Sequence, residues 1–346
     1  MMKERFFKIM GMACLFFLFT GCAGGLKSSA HSEVNLSAWT AYWDMEKGMK
    51  EYKDIHNQLS SLSYFAASFR EDGHLVVPEE VQSAKKKTKN ASVQSYLTFV
   101  NDLTKPDGKS VEKDLGVLRQ VLADDAVMDQ HIAEIISLTE QGKYDGIEID
   151  YEGEWKDADL FAKYLDFTYK LTTAAIHHQL KLRIVLEPSV PFDAGFCQGP
   201  QYVVMLYNLY GTHSGPGPKA NRAFIQKVIN KMQSLPGDKA AAFSTGGCVW
   251  ENVSLLGSAN GKKHFIDEVE AKRLETKYKA SPQRDADSAC LHFDYDEKGQ
   301  HYEVWYADSE TLNAWITVAA DQGIQNISLW RLGSNTDIDQ VRRKIE

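Results

Sequence analysis

From Leu36 onward, short apolar runs alternate with stretches in which apolar residues return every three or four positions. The runs are "LSAWTAYW", "LSYFAASF", "SYLTFV", "YDGIEIDYE", "LRIVLEP", "YVVMLYN", "KAAAFST" and "NISLWRL", eight candidate strands. Helical spacing is clearest over residues 157–178, where Leu160, Phe161, Tyr164, Leu165, Tyr169 and Leu171 recur; 220–234 and 309–322 read the same way. Strands alternating with helices predict right-handed crossovers and a parallel sheet. Eight such units in roughly 310 residues predict an α/β chain folded as a (β/α)8 TIM barrel. A doubly wound open sheet competes, but no Gly-rich phosphate turn follows the first strand. The stretch between the seventh and eighth runs is too long for one crossover. It contains "HFDYDEKGQHYEVWYA", two alternating runs joined across "DEKG", a hairpin signal. Residues 251–308 therefore read as a small α+β insertion.

One strand departs from the pattern of a sheet covered on both faces, which favours continuous apolar runs. In "GIEIDYE", Ile147, Ile149 and Tyr151 alternate with Glu148, Asp150 and Glu152, so the acids share one face and point into the barrel. Neighbouring members stand roughly 6.6 Å apart by strand rise. At an effective dielectric near 20, two charges at that distance repel by about 2.5 kcal/mol, close to two pK units. One carboxyl is expected to keep its proton near neutral pH, as general acid chemistry requires. An amphipathic strand with its acids in water is the competing reading. Placement favours chemistry, because Glu152 falls at the C-terminal end of the fourth strand, where barrel enzymes hold their active sites.

These residues resemble the fourth-strand signature D-x-x-D-x-D-x-E of the family 18 glycoside hydrolases, here Asp145, Glu148, Asp150 and Glu152, with Glu148 replacing the second Asp. "MLYN" is similar to that family's sixth-strand M-x-Y-D, with Asn208 in place of Asp, and Trp330 in "ISLWRLG" stands where the eighth-strand Trp floors the sugar site. "HYEVWYADSETL" and "WRLG" look like the branch containing spore-cortex and peptidoglycan-type N-acetylglucosaminidases. The resemblance spans about residues 36–346. It implies hydrolysis of a β-linked N-acetylglucosamine glycan with retention, assisted by the substrate's own acetamido group. Glu152 would be general acid and base, Asp150 would hold the acetamido nitrogen, and Tyr207 its carbonyl oxygen. Glu148, Met205, Asn208 and Trp330 would complete the substrate site, Trp330 reading equally as a core residue. Two alternatives stand beside this. One is a lectin-like relative that binds glycans without turnover, fed by Glu148 and Asn208; the other is a hydrolase using two carboxylates directly.

Composition narrows the partners. The chain has 346 residues, 43% hydrophobic, with 47 acids against 39 bases and a formal charge of −8. The one basic run, "AKKKTK", is no nucleic-acid footprint. No cluster has metal-ligand spacing and no cofactor is implied; "HH" at 177 and 178 reads as a solvated helix end. The start changes the picture more. Lys3 and Arg5, the apolar "FFKIMGMACLFFLF" and "LFTGC" ending at Cys22 resemble a bacterial lipoprotein signal over residues 1–22. Residues 23–35 read as a flexible linker and 36–346 as the barrel. The resemblance implies lipidation of Cys22 and a monomer held at the bacterial cell envelope, outside the cytoplasm; a single transmembrane anchor is the alternative, though the run is short for a bilayer. Of Cys197, Cys248 and Cys290, at least one must stay unpaired. Gly246 and Gly247 in "STGGC" mark a tight strand exit, and "HSGPGPKAN" a loop above the site. Trp43, Trp250, Trp305 and Tyr306 are sugar-stacking or core residues.

Overall fold

Each of the eight apolar runs forms a strand in the computed structural model, which describes residues 33–88, 92–105, 109–251 and 261–344. The expected signal with Cys22, and the linker as far as residue 32, lie outside the described residues. The strands are β1 (Asn35–Ala41), β2 (Leu59–Arg70), β3 (Gln94–Thr104), β4 (Gly146–Asp150), β5 (Lys181–Leu186), β6 (Gln201–Met205), β7 (Lys239–Ser244) and β8 (Asn326–Leu332). Each pairs in parallel with the next, and β8 returns to β1, so the sheet closes. Closure removes both sheet edges.

The crossovers carry α1 (Met45–Ile55), α2 (Glu79–Lys87), α3 (Leu115–Val121) with α4 (Asp125–Gln141), α5 (Ala158–His177) and α6 (Arg222–Met232). Residues 187–200, between β5 and β6, hold no helix. Side-chain caps set several helix starts: Asp124, Asp157 and Asn221 each accept backbone N–H groups of the first turn. The helical segments expected at 157–178, 220–234 and 309–322 thus appear, the last as the helix Ser309–Asp321.

Two apolar layers result. The outer one lies between strands and helices and includes Ile147, Ile149, Tyr151, Tyr164 and Phe167. The inner one fills the barrel near its mouth with Trp39, Phe65, Val100, Val203, Met205 and Tyr207.

Between β7 and β8 the chain leaves the barrel earlier than residue 251. A five-stranded antiparallel sheet begins at Gly246, with strands Gly246–Glu251, Lys263–Ile266, Gln283–Arg284, Leu291–Glu297 and Gln300–Ala307, and α7 (Glu268–Tyr278) packs on it. Glycine permits the early exit: Gly246 has φ +64°, and a Cβ on Gly247 would stand 1.7 Å from the Trp305 carbonyl oxygen. The expected hairpin turns at Lys298 and Gly299, both left-handed at φ +53° and +77°, as a two-residue turn demands. Trp250 and Tyr306 are buried, Trp250 Nε1 donating to the Gly211 and Ser214 carbonyls, and Trp305 stacks on His292. Cys197, Cys248 and Cys290 are all free thiols. His178 pairs with Glu140 at 2.8 Å on the surface.

Candidate active site

The alternation along β4 sorts its side chains as the sequence indicates. Ile147 and Ile149 enter the outer core, and Tyr151 follows them, its hydroxyl 2.9 Å from His131 Nε2. Burial lowers His131 to about 3, so the imidazole is neutral. Glu148 and Asp150 point the other way.

Glu148, expected at the substrate site, is not among the residues that line the cavity at the barrel mouth. Fully buried beneath the mouth, it accepts hydrogen bonds from Trp39 Nε1, Thr98 Oγ1 at 2.7 Å and Ser63 Oγ at 3.1 Å. It also forms an ion pair with Arg183 Nε at 3.1 Å. Arg183 in turn donates to Ser328 Oγ at 2.7 Å and stacks 5.5 Å from the Trp39 ring and 5.3 Å from that of Tyr96. Three donors and a guanidinium occupy both carboxylate oxygens, so this acid ties β1, β2, β3, β5 and β8 together.

Asp150 sits one layer nearer the mouth, almost wholly buried, with Oδ1 lacking any hydrogen-bond partner among the described residues. Burial first, and then the charge of Glu152, push its pKa well above the carboxylate range. Both causes favour its neutral form over the carboxylate.

Glu152 lies two residues on, past the strand end. Asn101 on β3 brackets its backbone, accepting its N–H at 2.9 Å and donating to its carbonyl at 3.1 Å. Gly153, at φ +86°, then turns the chain so that its N–H and Trp155 Nε1 both donate to Glu187 Oε2, at 3.0 and 2.7 Å. The Glu152 carboxylate meets Lys113 Nζ at 2.5 Å. Burial raises its pKa, Lys113 lowers it, and Glu187 and Asp102 raise it again; the net direction is up. Lys113 is anchored independently, its N–H donating to Asp102 Oδ1 at 2.9 Å.

Asp150 and Glu152 face a cavity of about 480 Å³ that Tyr207, Met205, Asn208, Trp330, Lys113 and Glu187 also line. Burial, the largest cause, pushes the Tyr207 hydroxyl well above its ordinary range, so it stays a donor. Asn208 is exposed at φ +62°, a left-handed position that Asn tolerates better than most residues. Trp330 stands edge-on to Phe65 at 4.9 Å and to Trp39 at 5.8 Å, leaving a face to the cavity. A second chamber of about 360 Å³ shares Tyr207, Asn208 and Trp330 with the first. Trp43, half exposed, lies 6.4 Å from Trp330 and extends the aromatic surface. His213 of the expected loop reaches the first chamber and Lys219 the second.

Sequence reasoning brought together Asp150, Glu152, Met205, Tyr207, Asn208 and Trp330, and missed Lys113, Arg183, Glu187 and Asn101. A signal existed for Arg183, a lone charge inside "LRIVL". None existed for Lys113, which is distant in sequence and reads as one more loop lysine.

No protein-family model matches the chain. It is 25% identical over 295 residues to the cortical fragment-lytic enzyme of Bacillus anthracis, covering 81% of this chain and 66% of that protein, just under two thirds of its length. It is 22% identical to the uncharacterised glycosylase YvbX of Bacillus subtilis, covering 82% of this chain and 83% of that protein. Among solved structures, a chitinase from Chromobacterium violaceum superposes with TM-score 0.73 at 16% identity over 89% of this chain and 96% of its own. The Bacillus cereus spore cortex-lytic enzyme SleL does so with TM-score 0.73 at 19% identity, over 90% and 73%. The fold is thus the (β/α)8 barrel that these chitinase and cortex-lytic enzyme structures share.

Proposed function

We propose that this chain is a glycoside hydrolase that cleaves β-linked N-acetylglucosamine-containing glycans with retention, Glu152 serving as general acid and base. One observation carries the reading: a buried Asp150 beside Glu152, both opening on one cavity at the barrel mouth with Tyr207 and an aromatic plate. The curated relatives named as a cortex-lytic enzyme and a glycosylase support the same class of chemistry.

In the free chain the proton rests on Asp150, because Lys113 claims the Glu152 carboxylate. A glycan entering the cavity displaces the ammonium, and the proton passes to Glu152. Glu152 then protonates the leaving glycosidic oxygen as the bond to C1 breaks. The acetamido carbonyl oxygen attacks C1 and forms an oxazolinium ion, its N–H held by the now ionised Asp150. Tyr207 donates to that carbonyl and orients it, a positioning effect that can lower a barrier by several kcal/mol. Water, deprotonated by Glu152, opens the ring from the same face.

The test is mass spectrometry of products after incubation with chitin, peptidoglycan and an N-glycan, for wild type and Glu152→Gln. Reducing-end N-acetylglucosamine products from wild type alone support the reading. Equal cleavage by the variant removes Glu152 from the role, and binding without any cleavage by wild type leaves the lectin-like alternative. We further propose export and lipid anchoring at Cys22, tested by incorporation of labelled fatty acid into wild type and its loss in Cys22→Ala.

A further inference from the structure

The two chambers that meet at Trp330 differ in charge. The first carries Asp102, Glu112, Asp150, Glu152 and Glu187 against Lys113. The second presents Lys219 and Arg331, with Asp267 at its edge. Arg331 is already neutralised by Asp44 at 2.9 Å. Asp267 caps α7, accepting the Glu270 N–H at 2.7 Å.

Lys219 is different. Its Nζ donates to Ser244 Oγ at 2.8 Å and to the Thr245 carbonyl at 2.9 Å, both neutral oxygens. Among the described residues it forms no ion pair. An ammonium has three donors, so one remains to be satisfied. The Phe265 ring lies 5.7 Å from Nζ, and its 51% exposure leaves an apolar plate in the same chamber. Trp330 supplies a second aromatic surface across it. Burial brings the lysine down to about 8. A fold gains nothing from such a charge, whereas a ligand bearing an anion would complete it.

We infer that the second chamber binds a pyranose unit carrying a carboxylate, with that carboxylate on Lys219 Nζ and the ring between Trp330 and Phe265. The inference deepens the hydrolase reading and rests on it, since the chamber continues the cavity over Glu152. An O-linked lactate on a hexosamine and a uronic acid both present this chemistry.

The experiment measures binding by calorimetry on the full chain bearing Glu152→Gln. Three ligands of equal length are compared: neutral N-acetylglucosamine oligomers, oligomers alternating with O-lactyl hexosamine, and oligomers alternating with uronic acid. Each acidic ligand is also supplied as its methyl ester, which removes the charge while keeping the rest of the ligand. The expected result is that one acidic form binds about ten-fold tighter than its ester, the size of a charge-assisted hydrogen bond. That preference should fall to about one in Lys219→Met and persist in Lys219→Arg. The identity of the preferred acid separates the two sources. Equal affinity for acid and ester, or a preference that survives Lys219→Met, overturns the inference while neutral oligomers still bind. Failure of every glycan to bind, together with no cleavage by wild type, overturns the hydrolase reading itself.

Discussion

Replacing Lys113 by Met removes the cation from Glu152 while keeping most of its length. At the observed 2.5 Å, Coulomb attraction is about 1.7 kcal/mol at the dielectric of water and about 6.6 kcal/mol at an effective value of 20. The lysine side chain is 52% exposed and the glutamate 14% exposed, so solvent screens the pair from one side. A value near the lower limit, about 2 kcal/mol, is appropriate, or about 1.5 pK units. The sign follows from the role. Lys113 stabilises the carboxylate and so lowers the pKa of Glu152, whereas the acid must be protonated to act, and activity is lost as pH rises through that pKa. Lys113→Met should therefore carry the alkaline limb of kcat/KM upward by roughly one unit or more. The limb of kcat, set in the complex from which the ammonium has been displaced, should move little. The assay is a pH series on a soluble chromogenic N-acetylglucosamine substrate, with Lys113→Arg as the charge-preserving control. An alkaline limb of kcat/KM that stays in place would refute the ion-pair argument, and a parallel shift in kcat would refute displacement.

Arg183→Met should lower stability by about 3–5 kcal/mol in urea unfolding, because it strands Glu148 without its cation; adding Glu148→Gln should recover much of that loss. Burial raises Glu154 to about 8, so the native state holds a proton that the unfolded chain releases. Its contribution is present below the unfolded value of about 4.5 and is lost as pH rises toward 8. Glu154→Gln should accordingly flatten the decline of the unfolding free energy from urea titration between those limits by about 1.4 kcal/mol per pH unit. An unchanged slope would show that Glu154 is ionised in the fold. Trp330→Ala should raise KM by about ten-fold through loss of the aromatic plate, and Trp330→Phe should restore most of it. A comparable fall in melting temperature for both variants would assign the residue to packing instead.

The legible parts share one property: they are local. Period-two alternation decides which face of β4 each residue takes, so the separation of Ile147 and Ile149 from Glu148 and Asp150 could be read without a fold. Spacing of apolar residues likewise announced α5 and α6. The two-residue turn at Lys298 and Gly299 needed only its chemistry. The insertion boundary was less legible, because "STGGC" shows permissive glycines but not the Trp305 backbone that makes Gly247 obligatory.

The sequence by itself therefore determined the eight strands, the helical crossovers, the inward turn of Glu148 and Asp150, and the place of Glu152 at a strand end, since each follows from near neighbours in the chain. Only the tertiary structure decided how the acids divide their work. Closing the barrel sets Arg183 of β5 and Trp39 of β1 against Glu148, which neutralises it, and brings Lys113 from the far end of a loop onto Glu152. It leaves Asp150 in between, dehydrated and unpaired. Charge pairing and desolvation depend on distances through space between residues dozens of positions apart, and no periodicity along the chain encodes them.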